Sequence, residues 1–342
     1  MSQQVTLEDV AKVVGVNKAT VSRALNPSTR SIVNSQTASR IIQAAEALGY
    51  VRNFTARSLR VQTTMTVGVV IPDITNAIFP PMVRGIENYL SQHGYTVLLA
   101  DTDESSDAED LAITSLLERR VDGFIVATGT EEDRAVTKLF NLGTPVVLVN
   151  RGAGKVPYPL VTGDDAAGIR AVVAHLKDLG HRDIVHVAGP SNFSTTRART
   201  KAFLRACQDS GLNGRVFAAT ILRANAGEAA MDSLLAEGRD FTAVVAATDL
   251  LALGVLKSLR RHGVVCPEEV SVVGFNDMPF SEEFGPGLTT VRVPLAEMGE
   301  EAARLLVRRL GGEDLAPSVL TMPVALVERN STARGPHYGQ AH

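Results

Sequence analysis

The chain has 342 residues, 34 Lys and Arg against 37 Asp and Glu, 45% apolar side chains and two cysteines. That length predicts two domains with something smaller beside them, and no uncharged apolar run approaches the roughly 18–20 residues that cross a bilayer, so no membrane partner is expected. Cys207 and Cys266 stand far apart and outside any CxxC or Cys/His pattern, against a disulfide framework or a zinc site; the opening MSQQVTLEDV lacks a secretory signal, and a cytoplasmic protein is expected.

The net charge of −3 conceals a division. Residues 1–60 carry eight basic side chains and three acidic ones, a charge of +5, which leaves −8 on the rest. A short basic head on an acidic body predicts that the head meets a polyanion. The head reads as helices. Leu7, Val10, Ala11 and Val14 recur at helical spacing after Thr6, which with Asp9 forms a capping-box start, and Gly15 ends the first helix. Asn17 caps a second helix over 18–25, with Val21 and Leu25 inward. A third starts after Asn34 or Ser35, turns Ile41, Ala45 and Leu48 inward and stops at Gly49.

From Thr66 the texture changes to β-branched runs at 66–71, 96–100, 123–127, 145–150, 183–189, 243–247 and 271–275. Helical stretches at 79–93, 109–119, 166–179, 196–210, 226–237 and 250–262 separate them. Near-continuous Val and Ile strands alternating with helices predict doubly wound α/β lobes with parallel sheets. IVHVAG echoes VGVVIP, so the body reads as two similar halves with a boundary near 161–163 and a ligand cleft between them.

The strongest motif is TLEDVAKVVGVNKATVSRALN, residues 6–26. Two short helices joined through Gly15 meet at a steep angle, with Ala11 allowing close approach. Lys18, Ala19, Ser22 and Arg23 then lie on the outer face of the second helix, flanked by Thr20 and Asn26, where they can enter a major groove.

This stretch resembles the opening signature of the lac repressor (LacI/GalR) family of bacterial transcription regulators. The resemblance runs on through IIQAAEALGYVRNFTARSL (41–59), HLKDLGHRDIVHVAGP, TDLLALG, SVVGFND and LTTVRVPLAEMGEEAARLL to VERNSTA (327–333). It implies a helix-turn-helix DNA-binding domain over 1–50, a hinge over 51–63, and a periplasmic-binding-protein-like core over 64–342. Within that core the first lobe covers about 64–162 and 291–322, and the second about 163–290 and 323–333.

The resemblance places Lys18, Ala19 and Arg23 at base-reading positions, where Arg23 suits the O6/N7 edge of guanine and Ala19 a thymine methyl. Thr6, Thr20, Ser22 and Asn26 match phosphate contacts. Ala56, Arg57 and Leu59 match a hinge helix that orders on DNA and wedges a leucine into the minor groove, although a helix-end contact for Leu59 stays open. Tyr50-Val51 is followed by Arg52 where the family usually has proline, which leaves the entry to the hinge less restricted. The segment from Pro27 to Val33 is slightly longer than usual.

In the cleft, Arg199 matches the family's ligand-binding arginine, with a structural salt bridge as the other reading. Asn276 and Asn150 stand where relatives often have Asp, and Thr248 where many have Asn. Neutral groups at these positions, with Arg199 and Arg151 nearby, leave the cleft less acidic than in a typical neutral-sugar regulator and point to a sugar, a sugar acid or a sugar phosphate. Ile78 and Phe79 match an apolar wall, where Phe79 either stacks on a sugar or belongs to the core.

Neither GxGxxG nor GxSxG occurs, and Gly152-Ala153-Gly154-Lys155 lacks the upstream glycine and the Ser/Thr of a phosphate loop. No cofactor and no catalysis are expected. The acidic run DTDESSD (101–107) lacks the glycine and closing Glu of a calcium loop and reads as solvated. The expectation is a homodimeric regulator on a near-palindromic operator, most simply a repressor of carbohydrate-use genes released by a small effector. The nine residues after Ala333 carry no heptads that would extend a dimer to a tetramer. A corepressor using the same cleft, or a sugar-binding protein with no regulatory role, is the alternative.

Overall fold

The computed structural model describes residues 5–26, 29–50 and 63–335. The chain forms two compact units, Met1–Thr64 and Met65–His342.

Among the described residues the first unit has three α-helices, α1 (Leu7–Val14), α2 (Lys18–Leu25) and α3 (Ser35–Ala47). Each start is fixed by a side chain that satisfies otherwise unpaired N–H groups. Thr6 and Asp9 form the capping box, with Thr6 N donating to Asp9 at 2.9 Å. Asn17 accepts from Thr20 N at 2.7 Å, and Asn34 accepts from Gln36 N at 3.0 Å, which places the third start after Asn34. Gly15 stops α1 at φ +72°, where a side chain would be strained. Val10, Val14, Val21, Ala24, Ala38, Ile41 and Ala45 are buried between the helices. Leu25 is only half-buried and Ala24 takes the fully buried place beside Val21. Arg40 donates to Val14 O at 3.2 Å, tying α3 to the end of α1. After α2, Thr29 and Arg30 reach back to the carbonyls of Arg23 and Ala24.

The second unit contains two parallel sheets. The first has strand order β11-β5-β4-β3-β1-β2, from β1 (Thr66–Ile71), β2 (Thr96–Asp101), β3 (Gly123–Val126), β4 (Val146–Val149), β5 (Leu160–Gly163) and β11 (Val319–Met322). In register, Val69 sits between Leu99 and Ile125. Helices α4 (Phe79–Gln92), α5 (Ser106–Glu118), α6 (Arg134–Asn141) and α11 (Leu295–Leu310) belong to this lobe. A methyl on Gly85 of α4 would strike the Ala296 carbonyl and one on Gly299 of α11 the Met82 carbonyl, so these glycines let the two helix backbones touch.

The second sheet has order β7-β6-β8-β9, from β6 (Asp183–Ala188), β7 (Asn213–Ala218), β8 (Ala243–Ala246) and β9 (Ser271–Val273). Its helices are α7 (Asp165–Asp178), α8 (Ser194–Ser210), α9 (Ala224–Glu237) and α10 (Asp249–Arg261). An antiparallel pair, β10 (Thr290–Arg292) with β12 (Ala325–Val327), lies beside the crossings. The chain passes between the lobes three times: after β5, between β10 and α11, and between β11 and β12. Both sheets therefore point the C-terminal ends of their strands at the space between lobes, where ligands bind in such folds.

Several elements were silent in the sequence. β5 has four residues, α6 has eight, and β7 (NGRVFA) interrupts its apolar pattern with Gly and Arg. Part of the acidic run also belongs to a helix: Ser105 caps α5, and Asp107 and Glu109 sit in its first turn, where the helix dipole favours negative charge.

Candidate DNA-reading face and inter-lobe cleft

On α2 the inward side is formed by Val21 and Ala24, each fully buried, and the outward side by exposed Lys18, Ala19 and Arg23. Thr20, Ser22 and Asn26 are half-buried at its margins. The Thr6 hydroxyl donates to Asp9 at 2.7 Å and the Thr20 hydroxyl to Asn17 at 2.9 Å, so both donors expected for phosphates are already engaged locally. Ala56, Arg57, Leu59 and the Arg52 substitution lie outside the described residues.

Arg199, on the second turn of α8, is 4% exposed. Its Nε donates to Asp165 Oδ1 at 2.8 Å, Nη1 to the Ala247 carbonyl at 2.6 Å and Nη2 to Asn276 Oδ1 at 3.4 Å. The guanidinium also lies 3.8 Å over the Phe275 ring. Asp165 opens α7 and is itself buried; burial pushes its carboxyl above the ordinary range while the Arg199 charge pulls it back. Arg199 is thus a buried salt-bridge arginine.

Asn276 is aimed by the strained turn it belongs to, with φ +120° at Asn276 and +53° at Asp277. Three groups hold that turn. Asp249 accepts from Met278 N at 2.8 Å and from the Thr290 hydroxyl at 2.5 Å, and burial pushes its carboxyl up to about 6. Arg292 and Arg329 each donate to Asp277 at 2.7 Å. Thr248 caps α10, accepting from Leu251 N at 3.3 Å. Asn150 adopts φ +66° at the end of β4 and its carbonyl accepts from the Thr162 hydroxyl at 3.1 Å. Ile78 and Phe79 enter α4, and Phe79 is fully buried in the core cluster with Met82 and Ile86.

The two arginines set beside these neutral positions both have carboxylate partners. Arg199 is met by Asp165, and Arg151 is met by Glu104 at 3.3 Å. Sequence reasoning missed Asp165, Asp249 and Asp277, each two to four residues past a strand end. Their position after an apolar run was the available signal.

A helix-turn-helix unit followed by two parallel-sheet lobes with a polar cleft defines a class of bacterial DNA-binding regulators whose cores have the periplasmic-binding fold. Residues 6–53 match the bacterial regulatory proteins of the lacI family, and residues 173–332 a periplasmic binding protein-like domain. The chain is 35% identical to the HTH-type transcriptional regulator MalR of Streptomyces coelicolor, over 96% of this chain and 97% of that protein. Its fold is similar to a lac repressor dimer bound to operator and the anti-inducer ONPF, with a TM-score of 0.88 at 26% identity, covering 97% of this chain and 100% of the other. A complex of the transcriptional regulator CelR with cellobiose gives a TM-score of 0.73 at 30% identity, covering 96% and 100%. The chain belongs to the lacI family of bacterial regulatory proteins.

Proposed function

We propose that this chain is a cytoplasmic, homodimeric repressor of carbohydrate-utilisation genes, and that it acts by binding alone, without catalysis. Two copies read a near-palindromic operator, each placing α2 in a major groove, with Lys18, Ala19 and Arg23 at base edges. Ser22 and Asn26, with Thr6 and Thr20 once their local bonds rearrange, meet phosphates. Ala56, Arg57 and Leu59 supply the hinge and its minor-groove wedge. The effector sits between the lobes against Arg199, Asn276, Asn150 and Thr248, with Ile78 and Phe79 backing the wall.

The observation that carries this reading is the coexistence, in one chain, of an exposed basic face on α2 and the buried Arg199–Asp165–Asn276 constellation. Because each cleft arginine already has a carboxylate, the effector is an uncharged sugar, not a sugar acid or phosphate. The similar transcriptional regulator CelR, bound to cellobiose, accords with this reading.

A thermal-shift panel of glucose, maltose and cellobiose beside gluconate and glucose 6-phosphate tests the ligand class. Stabilisation by a neutral sugar is expected, and stabilisation by the anions alone would refute it. Removal of residues 1–60 is expected to abolish sequence-specific DNA binding, and its survival would end the regulator reading.

A further inference from the structure

The acidic run at 101–107 has a structural employment that its composition does not announce. Asp101 ends β2 and accepts from the N–H groups of Ile74 and Asp103, each at 3.2 Å, which folds the following turn against the loop after β1. Asp103 and Glu104 then adopt φ +44° and +57°, a conformation side-chain-bearing residues rarely take. From this turn, Asp103 accepts from Arg223 Nη2 at 2.6 Å, and Asp73 lies 3.5 Å from the same nitrogen. Glu104 pairs with Arg151, whose guanidinium stacks 3.7 Å over Phe193. Arg223 and Phe193 belong to the second lobe, while Asp73, Asp103, Glu104 and Arg151 belong to the first. β2 and β7 are edge strands, and in the first sheet β2 lies at the edge opposite β5 and β11, through which the chain crosses.

We propose that the turn 101–104 is an electrostatic clasp that holds the two lobes together: Asp103 and Asp73 grip Arg223 across the cleft, and Glu104 holds Arg151 against Phe193. This rests on the cleft being the effector site and gives that site its regulation. The clasp sets how much of the closed form exists before ligand arrives, and therefore the apparent effector affinity. Arg223 is partly exposed and Asp103 largely so, which makes their pair weak and salt-sensitive. Arg151 is 2% exposed, which makes its stacking the stronger half. Other lobe-to-lobe bonds, Gly152 N to Ser194 Oγ at 2.9 Å and Glu131 N to Asn192 O at 3.0 Å, remain when the clasp is removed, so its loss changes a balance without separating the lobes.

Nitroxide labels at exposed Leu142 and Ala236, one in each lobe, report the distance between lobes by pulsed electron resonance. They are placed in the full chain with Cys207→Ala and Cys266→Ser, and labelled chain is diluted into unlabelled to suppress distances between copies. In 20 mM NaCl without ligand, Arg223→Gln is expected to raise the open-to-closed ratio about two- to fivefold, and Arg223→Gln with Phe193→Leu to raise it further. Wild type in 500 mM NaCl is expected to resemble Arg223→Gln. Identical distributions for wild type and both variants, or a wild-type distribution indifferent to salt, would overturn the clasp. Operator and sugar titrations on the same proteins judge the regulator reading separately, because the distances decide the clasp whether or not DNA or sugar binds.

Discussion

Arg199 and Asp165 share a buried salt bridge, and a buried pair is far costlier to halve than to keep. Arg199→Met leaves the Asp165 carboxylate without its cation, and we expect the core to lose about 3–5 kcal/mol in urea unfolding. Asp165→Leu combined with Arg199→Met is expected to recover much of that loss while sugar binding stays abolished, which separates the pair's structural role from its ligand role. Glu109 offers a pH test. Burial and the nearby Asp133 charge push its carboxyl up to about 7, while its bond to the Thr128 hydroxyl opposes them. Below about pH 4.5 the group is protonated in both folded and unfolded chains; as pH rises towards 7 the unfolded chain ionises first, and stability falls until the folded carboxyl has ionised too. Glu109→Gln is therefore expected to gain on wild type between pH 5 and 8, reaching roughly 3 kcal/mol at pH 8 by denaturant melts. His186, buried and pushed down to about 4, gives the opposite slope between about pH 4 and 6.5, but it is common to both proteins and cancels in the difference. None of these pairings was legible in the sequence, because Arg199 meets Asp165 across 34 positions and Asn276 across 77. The family-matched positions could be named while their partners could not.

At the scale of elements the sequence was far more informative. The capping box at Thr6 and the glycine stop at Gly15 are local chemistry, decided within three or four residues, and they recur in the structure as read. Strands at 66–71 and 183–188 announced themselves as buried runs. β11 joins the first sheet more than 150 positions after β5, its neighbour, and its exposed side chains gave no run to read. The seam between α4 and α11 was equally hidden, since it depends on two glycines that meet only in the fold. Gly299→Ala places a methyl against the Met82 carbonyl, and the helices must separate to admit it. We expect a loss of about 1–3 kcal/mol, the usual cost of overpacking, measured by thermal or urea unfolding. Gly143→Ala is a control of a different kind: nothing lies near its added methyl, so any loss there reports only the strain of φ +67°.

The whole molecule joins a head of charge +5 to a body of −8, so DNA attraction is concentrated where the reading helix is and the body opposes loose sticking. Within the head, Lys18 and Arg23 are expected to fail in different ways. Lys18→Met removes a point charge and should flatten the salt dependence of operator binding. Arg23→Lys keeps the charge but loses the planar donor pair, and should cost about 1–3 kcal/mol against the cognate operator while leaving random DNA nearly untouched. The body adds a constraint that no single residue carries. If sugar closure weakens operator binding by some factor, bound operator must weaken sugar binding by the same factor, because both measure one coupling free energy. A tenfold effect corresponds to about 1.4 kcal/mol, within reach of a shift in lobe balance. Anisotropy titrations of operator with and without saturating sugar, paired with calorimetric sugar titrations with and without excess operator, should return equal factors. Unequal factors would mean that the sugar acts at a second site or changes the association of the two copies, and the cleft would then not be the sole route from ligand to DNA.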